Sequence, residues 1–208
     1  MRRTLRARQQ LFMEGDEQTH VYLVKTGAVC LYRMLRNGRR QVVGFKLPGD
    51  FVALGADPHY RCYAEAIGPT ELRSFQTWAF HAAAALNARF MLRLYEAVGR
   101  DLTRSQEQAV SVGKRDADGS VAAFLLSVAG RLLPGEGRGT MSLPMSRADI
   151  ADYLGLSLET VSRVFTGFKR LGFISLRGRR GVQLVDRAAL RAVADAGGDN
   201  GAPARLLN

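Results

Sequence analysis

Glu159, Ser162 and Arg163 stand at i, i+3 and i+4, so a helix through Leu158-Glu-Thr-Val-Ser-Arg163 projects all three side chains from one short patch. Their hydrogen-bonding chemistry matches base edges. The Arg163 guanidinium can donate two parallel bonds to guanine O6 and N7, the Glu159 carboxylate can accept from cytosine N4, and the Ser162 hydroxyl can bond a base or a phosphate. A helix that enters the major groove by its N-terminal end would carry these groups to the bases. Ser157, Thr160, Thr166, Lys169 and Arg170 surround them as candidates for backbone or supporting contacts. Arg177, Arg179 and Arg180 lie farther on, in an arginine-rich turn that suits phosphates. No catalytic constellation competes with this reading. The carboxylates and histidines are scattered, and Gly113-Lys-Arg lacks the glycine spacing and the Ser/Thr of a phosphate-binding loop.

The surrounding sequence supplies the scaffold such a trio needs. Ser146 can cap a first short helix whose Ile150 and Leu154 share an inner face. Gly155 fits a sharp turn, and Ser157 can cap a second helix through the orphan amides of its first turn. Along that helix Val161, Val164, Phe165, Phe168 and Leu171 follow core spacing, on the side away from the polar trio. Phe173-Ile-Ser-Leu176 and Gly181-Val-Gln-Leu-Val185 read as short strands, with the arginine turn between them as a wing. A polar face on a basic helix is often only solvated surface. Turn, caps and hairpin together favour a winged helix-turn-helix.

Upstream, Leu11 to Phe75 alternates short apolar runs with turn signals such as Asn37-Gly38 and Pro48-Gly-Asp50, which suggests a small β roll or barrel. Thr77 to Val112 is poor in helix breakers. Within it Met91, Leu94, Val98, Leu102, Ser105, Ala109 and Val112 recur every three or four residues, which makes one stripe of a long helix. That stripe can be buried in its own subunit or against an identical helix in a two-fold dimer. Gly113-Lys-Arg-Asp-Ala-Asp-Gly119 reads as a hinge, Val121 to Leu133 as a helix ended by Pro134-Gly135, and the Gly/Ala-rich tail from Gly197 to Asn208 as frayed. The expected organisation is a β-roll over 1–76, a helical segment over 77–112, the DNA-binding unit over 113–196 and a tail over 197–208.

Bulk properties narrow the partners. The 208-residue chain carries a formal net charge of +11, which favours a polyanion. Apolar stretches are interrupted by Arg, Asp or Gly before a spanning length, and the basic N-terminus is not followed by an apolar segment. No membrane partner and a cytoplasmic location are therefore expected. Cys30 and Cys62 do not make a disulfide framework, and two cysteines cannot supply four ligands to an iron–sulfur cluster.

From about Gln9 to Leu190 the chain resembles the CRP/FNR superfamily of bacterial transcription regulators, especially its FNR and FixK branches. The resemblance rests on Leu11-Phe-Met-Glu-Gly-Asp16, Val21-Tyr-Leu-Val-Lys-Thr-Gly-Ala28, Gly38-Arg-Arg-Gln41, Leu47-Pro-Gly-Asp50, Ala64-Glu-Ala-Ile67 and Leu158-Glu-Thr-Val-Ser-Arg163. It implies an α+β fold: an N-terminal β-roll of cyclic-nucleotide-binding type (a jelly roll), a long dimerisation helix and a C-terminal winged helix-turn-helix. Met91, Leu94, Val98, Leu102, Ser105 and Ala109 then become the dimer interface. The Glu-x-x-Ser-Arg pattern implies FNR-like palindromes with TTGA-type half-sites, and the family mechanism implies contact with RNA polymerase, most often in activation.

The same resemblance leaves the input of the protein open. Cyclic-nucleotide members carry Gly-Glu-Leu and an Arg-Ser or Arg-Thr pair. Here the region reads Pro48-Gly-Asp-Phe-Val-Ala-Leu and, nearest to the pair, Arg61-Cys62, with Arg61 expected to be structural or exposed. His20, His59, His81 and the cysteines are available haem ligands, though no spacing singles one out. Cys62 and His59 lie close enough for a redox-sensitive thiol. The FixK-like branch implies a simpler option, a regulator active with no bound cofactor in low-oxygen metabolism. That is the expectation adopted, with a ligand- or haem-gated regulator as the alternative.

Overall fold

The computed structural model describes residues 1–55, 57–113, 115–133, 139–178 and 180–196. The expectations for Lys114, the Pro134-Gly135 stop, Arg179 and the 197–208 tail lie outside the described residues. The chain divides into two compact units, Met1–Gln106 and Glu107–Asn208.

The first unit begins with eight strands: β1 (Arg2–Leu5), β2 (Gln10–Phe12), β3 (His20–Thr26), β4 (Val29–Met34), β5 (Arg40–Lys46), β6 (Phe51–Val52), β7 (Tyr63–Ala66) and β8 (Thr70–Gln76). They form two four-stranded antiparallel sheets in the orders β1-β8-β3-β6 and β2-β7-β4-β5. Leu5, Tyr22, Val24 and Leu72 from one sheet meet Phe12, Val29, Ala64 and Ala66 from the other in a common core. The sequence expectation placed no strand before Leu11. β1 was hidden because its Arg2-Arg-Thr-Leu5 buries only Leu5 and gains its place by pairing with β8.

Two turns show why particular residues are needed. Asn37-Gly38 closes the β4–β5 hairpin: Asn37 Oδ1 accepts from Arg39 N at 3.0 Å, and Gly38 adopts φ +76°. Gly27, between β3 and β4, has φ +79°, and a Cβ there would lie 2.4 Å from the Pro69 carbonyl oxygen. β3 is buried on both faces. Tyr22 and Val24 point into the roll, while Val21 joins Phe80, Ala84 and Leu94 in a second apolar cluster under the helices that follow.

Those helices are α1 (Thr77–Leu86) and α2 (Ala88–Gly113). Asn87 separates them with an extended φ of −135°, and its Oδ1 accepts from Phe90 N at 2.9 Å, so one asparagine ends α1 and caps α2. The single expected stripe resolves into two on adjacent faces of α2. Met91, Tyr95, Val98, Leu102, Ser105 and Ala109 are exposed, whereas Phe90, Leu94, Ala97, Asp101, Arg104 and Gln108 are buried or half-buried. Leu94 is therefore a correction: it is 7% exposed and packs with Phe80 and Val21 of its own unit, while Tyr95 at 76% takes its place on the outer stripe. Three- and four-residue spacings admit either residue. The aliphatic chain suits the apolar cluster, and the tyrosine keeps its hydroxyl in water.

The second unit holds α3 (Ala117–Leu132), β9 (Thr140–Ser142), α4 (Arg147–Leu154), α5 (Leu158–Arg170), β10 (Ile174–Arg177), β11 (Gly181–Leu184) and α6 (Arg187–Ala196). α3 starts earlier than its apolar run suggested, because the Asp116 side chain accepts from Gly119 N at 2.7 Å and caps it. β9 adds a third strand to the hairpin, in the order β10-β11-β9. Phe124, Leu125 and Val128 of α3, Ile150 and Leu154 of α4, Val161, Phe165 and Phe168 of α5 and Leu190 of α6 are all buried.

Candidate nucleic-acid interface

α4 and α5 are held in place by local chemistry at their ends. Asp149 N donates to Ser146 Oγ at 3.1 Å and Ser146 N donates to Asp149 Oδ2 at 2.9 Å, a reciprocal capping box that fixes the start of α4. Gly155 ends that helix in the left-handed region at φ +69°. Two residues later Ser157 caps α5, its Oγ accepting from Thr160 N at 3.1 Å and lying 3.0 Å from Thr160 Oγ1. The hydroxyls of Ser157 and Thr160 are thus engaged with each other at the helix start. Thr166 is likewise engaged, donating to the Ser162 carbonyl oxygen at 2.9 Å.

The two faces of α5 differ sharply. Val161, Val164, Phe165, Gly167 and Phe168 are buried, whereas Glu159, Ser162, Arg163, Thr166, Lys169 and Arg170 are exposed. Leu171 departs from the expected core set: it is 38% exposed, because α5 ends at Arg170 and the chain turns through Gly172 at φ +75°. Glu159, Ser162 and Arg163 therefore emerge together from the first two turns, where the unpaired amides of a helix N-terminus also favour phosphate. The wing brings Arg177 and Arg180 to exposed positions at the β10–β11 turn. Its tightness depends on Gly181, where a Cβ would lie 2.4 Å from the Arg177 carbonyl oxygen.

Two charged groups outside the expected set shape this face. The Arg147 guanidinium, at the first residue of α4, lies over the Phe165 ring at 3.1 Å, and burial pushes its pKa down to about 10. It stays cationic at neutral pH. Asp118, in the first turn of α3, has its carboxyl pKa raised by burial and by Asp116, while Arg163 pulls it back. Arg163 and the Asp118 carboxylate of the same unit therefore attract each other. Neither role was legible in the sequence, since each depends on packing between separate helices.

The residues weighed as sensor ligands are dispersed. Arg61 is exposed and pairs with Asp57 through Nε at 2.5 Å, and Asp57 also accepts from His59 N at 3.1 Å. Inside the roll Phe12 stacks on Tyr60 at 3.7 Å, and Tyr22 lies behind them. These residues do not fit a cyclic nucleotide: the nearest phosphate-binding candidate is turned to a surface aspartate, and aromatic rings fill the interior. His20 Nδ1 lies 3.0 Å from Thr19 Oγ1, and His81 is exposed on α1. Among the described residues no three His, Cys, Asp or Glu side chains come together as a metal site. Cys30 is buried with Arg40 Nη2 at 3.0 Å from its sulfur. Burial, with a contribution from Glu14, pushes the Cys62 thiol up to about 11, the opposite of what a redox-sensitive thiol needs.

No helix among the described residues is long and apolar enough to cross a membrane. Comparison with known proteins accounts for both units. Residues 2–87 match the cyclic nucleotide-binding domain model and residues 119–193 the Crp-like helix-turn-helix domain model. The chain is 42% identical over 187 residues to the nitrogen fixation regulation protein FixK of Bradyrhizobium diazoefficiens, covering 89% of this chain and 78% of that protein. It is 34% identical to the transcriptional activator protein FnrL of Cereibacter sphaeroides, covering 97% and 83%. The solved structure of FixK2 from Bradyrhizobium japonicum superposes with a TM-score of 0.86 at 34% identity, covering 98% of each chain. With the helix-turn-helix, its capped second helix and the β-roll in place, these relatives settle the class: the chain belongs to the CRP/FNR superfamily of DNA-binding transcription regulators, in the FNR/FixK-like branch, and is not an enzyme.

Proposed function

We propose that the protein is a cytoplasmic homodimeric activator that binds an FNR-like palindrome of TTGA-type half-sites and contacts RNA polymerase. In this reading it needs no bound cofactor and serves low-oxygen metabolism, the setting suggested by the nitrogen-fixation regulators it resembles. One observation carries the reading. Glu159, Ser162 and Arg163 are exposed together at the N-terminal end of α5, opposite a fully buried apolar face. Lys169, Arg170, Arg177 and Arg180, all exposed, supply cations for the flanking phosphates, and the outer stripe of α2 supplies a surface for a second copy.

A ligand-gated regulator is the second reading, favoured by a cavity of about 560 Å³ lined by Phe75, Phe80, Phe90, Ala79, Ala83 and His20. One experiment separates the two: binding of metal-free, cofactor-free protein to a TTGA palindrome and to a scrambled duplex, across a salt series, with and without cyclic AMP. Operator-selective, salt-dependent binding without any addition is expected. Selectivity that appears only after ligand is added would overturn the cofactor-free reading, and equal binding to both duplexes would overturn the operator assignment.

A further inference from the structure

On the inner stripe of α2 the apolar run Phe90, Leu94 and Ala97 gives way to Asp101 and Arg104. Both meet charges from the end of β5 and the turn beyond it. Lys46 Nζ donates to Asp101 Oδ2 at 2.5 Å, and Arg104 Nη1 donates to Asp101 Oδ1 at 3.0 Å and to Asp50 Oδ1 at 3.1 Å. The charges alternate along Lys46, Asp101, Arg104 and Asp50. The four side chains are only 13%, 32%, 23% and 14% exposed, respectively. The roll end of this chain of ion pairs is itself fixed. Asp50 Oδ2 accepts from Leu47 N at 2.8 Å, Gly49 N donates to the Val24 carbonyl oxygen at 2.9 Å, and Val24 N donates to the Asp50 carbonyl oxygen at 3.0 Å.

An apolar seam is non-directional and tolerates rotation of a helix about its axis, whereas paired charges with fixed partners do not. Val98 and Leu102 of the outer stripe lie within three residues of Asp101 on the same helix, so the rotation that satisfies Asp101 also sets where they point. We propose that Lys46, Asp50, Asp101 and Arg104 form an ionic latch that fixes the rotation of α2 on the roll. The latch presents the outer stripe, Met91 to Ala109, to a second copy of the chain without any effector. These four are positioning residues for DNA binding, and the inference rests on the cofactor-free homodimer reading.

The test compares the full chain with Asp101→Asn, Asp101→Glu and the apolar pair Lys46→Met with Asp101→Leu. Each is measured for dimer dissociation constant, operator affinity and thermal unfolding. Replacing a half-buried ion pair by an apolar pair restores packing without restoring direction. The apolar pair should therefore unfold at a temperature equal to or above the parent's, yet bind operator about tenfold more weakly, with a weaker dimer. Asp101→Asn should show the same loss of affinity, and Asp101→Glu should recover most of it. Parent-like dimerisation and operator affinity in the apolar pair would overturn the latch, even if Asp101→Asn were too unstable to measure. If the parent itself did not select the operator, the functional reading would fall separately, and the dimer constants alone would decide the latch.

Discussion

Arg163 shows how a single residue serves two environments. It faces solvent at the start of α5, yet it is close enough to Asp118 to pull that carboxyl's pKa down against burial and the Asp116 charge. In the proposed function, DNA and the Asp118 carboxylate would draw on the same guanidinium. Cys62 is the contrasting case. Sequence proximity to His59 suggested a reactive thiol, but burial holds it protonated, with a pKa of about 11. Alkylation of Cys62 by iodoacetamide in the folded protein should therefore be slow at pH 7 and accelerate as pH rises toward 11, because only the thiolate reacts. Mass spectrometry of the Cys62 peptide across pH checks this, and rapid labelling at neutral pH would contradict it. That Glu159, Ser162 and Arg163 share one exposed patch could be read from the sequence because i, i+3 and i+4 spacing is a property of one helix. Arg147, stacked on Phe165, could not, because its partner comes from another helix.

At the scale of elements, local patterns identified most pieces and left their packing undetermined. The Asn37-Gly38 hairpin, the capped α4 and α5 and the arginine wing are encoded within short windows, and they form where the sequence placed them. β1, β9 and α6 were not anticipated. β1 and β9 are three or four residues long and owe their conformation to pairing, with β8 and β11 respectively. Helix α2 is the instructive case, since spacings of three and four describe two adjacent stripes equally well and only tertiary burial separates Leu94 from Tyr95. The distinction has a measurable consequence. Leu102→Asp should leave the fold intact and weaken dimerisation about 30-fold or more, because it places a charge on the exposed stripe. Leu94→Asp should instead destabilise the first unit by on the order of 4 kcal/mol, because it buries an unpaired carboxylate beside Phe80. Sedimentation and thermal unfolding distinguish the two, and identical effects would mean that the two stripes are not functionally separate.

At the scale of the whole molecule, the formal charge of +11 supplies attraction to any nucleic acid, and attraction alone carries no sequence information. In the proposed function, choice of site comes from α5, and doubling of that choice from the pairing of two copies, whose α5 helices would meet half-sites about one helical turn apart. Output is therefore more legible than input. Helix α5 carries its polar groups exposed at its surface, whereas the β-roll of this superfamily has in this chain an interior filled by Phe12, Tyr22 and Tyr60. The central claim is that Glu159 and Arg163 select the operator. Its most direct test is the ratio of affinities for matched and single-base-mismatched TTGA palindromes, measured for the parent, Glu159→Ala and Arg163→Ala at one salt concentration. The account predicts that each substitution lowers the ratio by about tenfold or more, the discrimination of one base-specific contact. Uniformly weakened binding with the parent's ratio intact would contradict it.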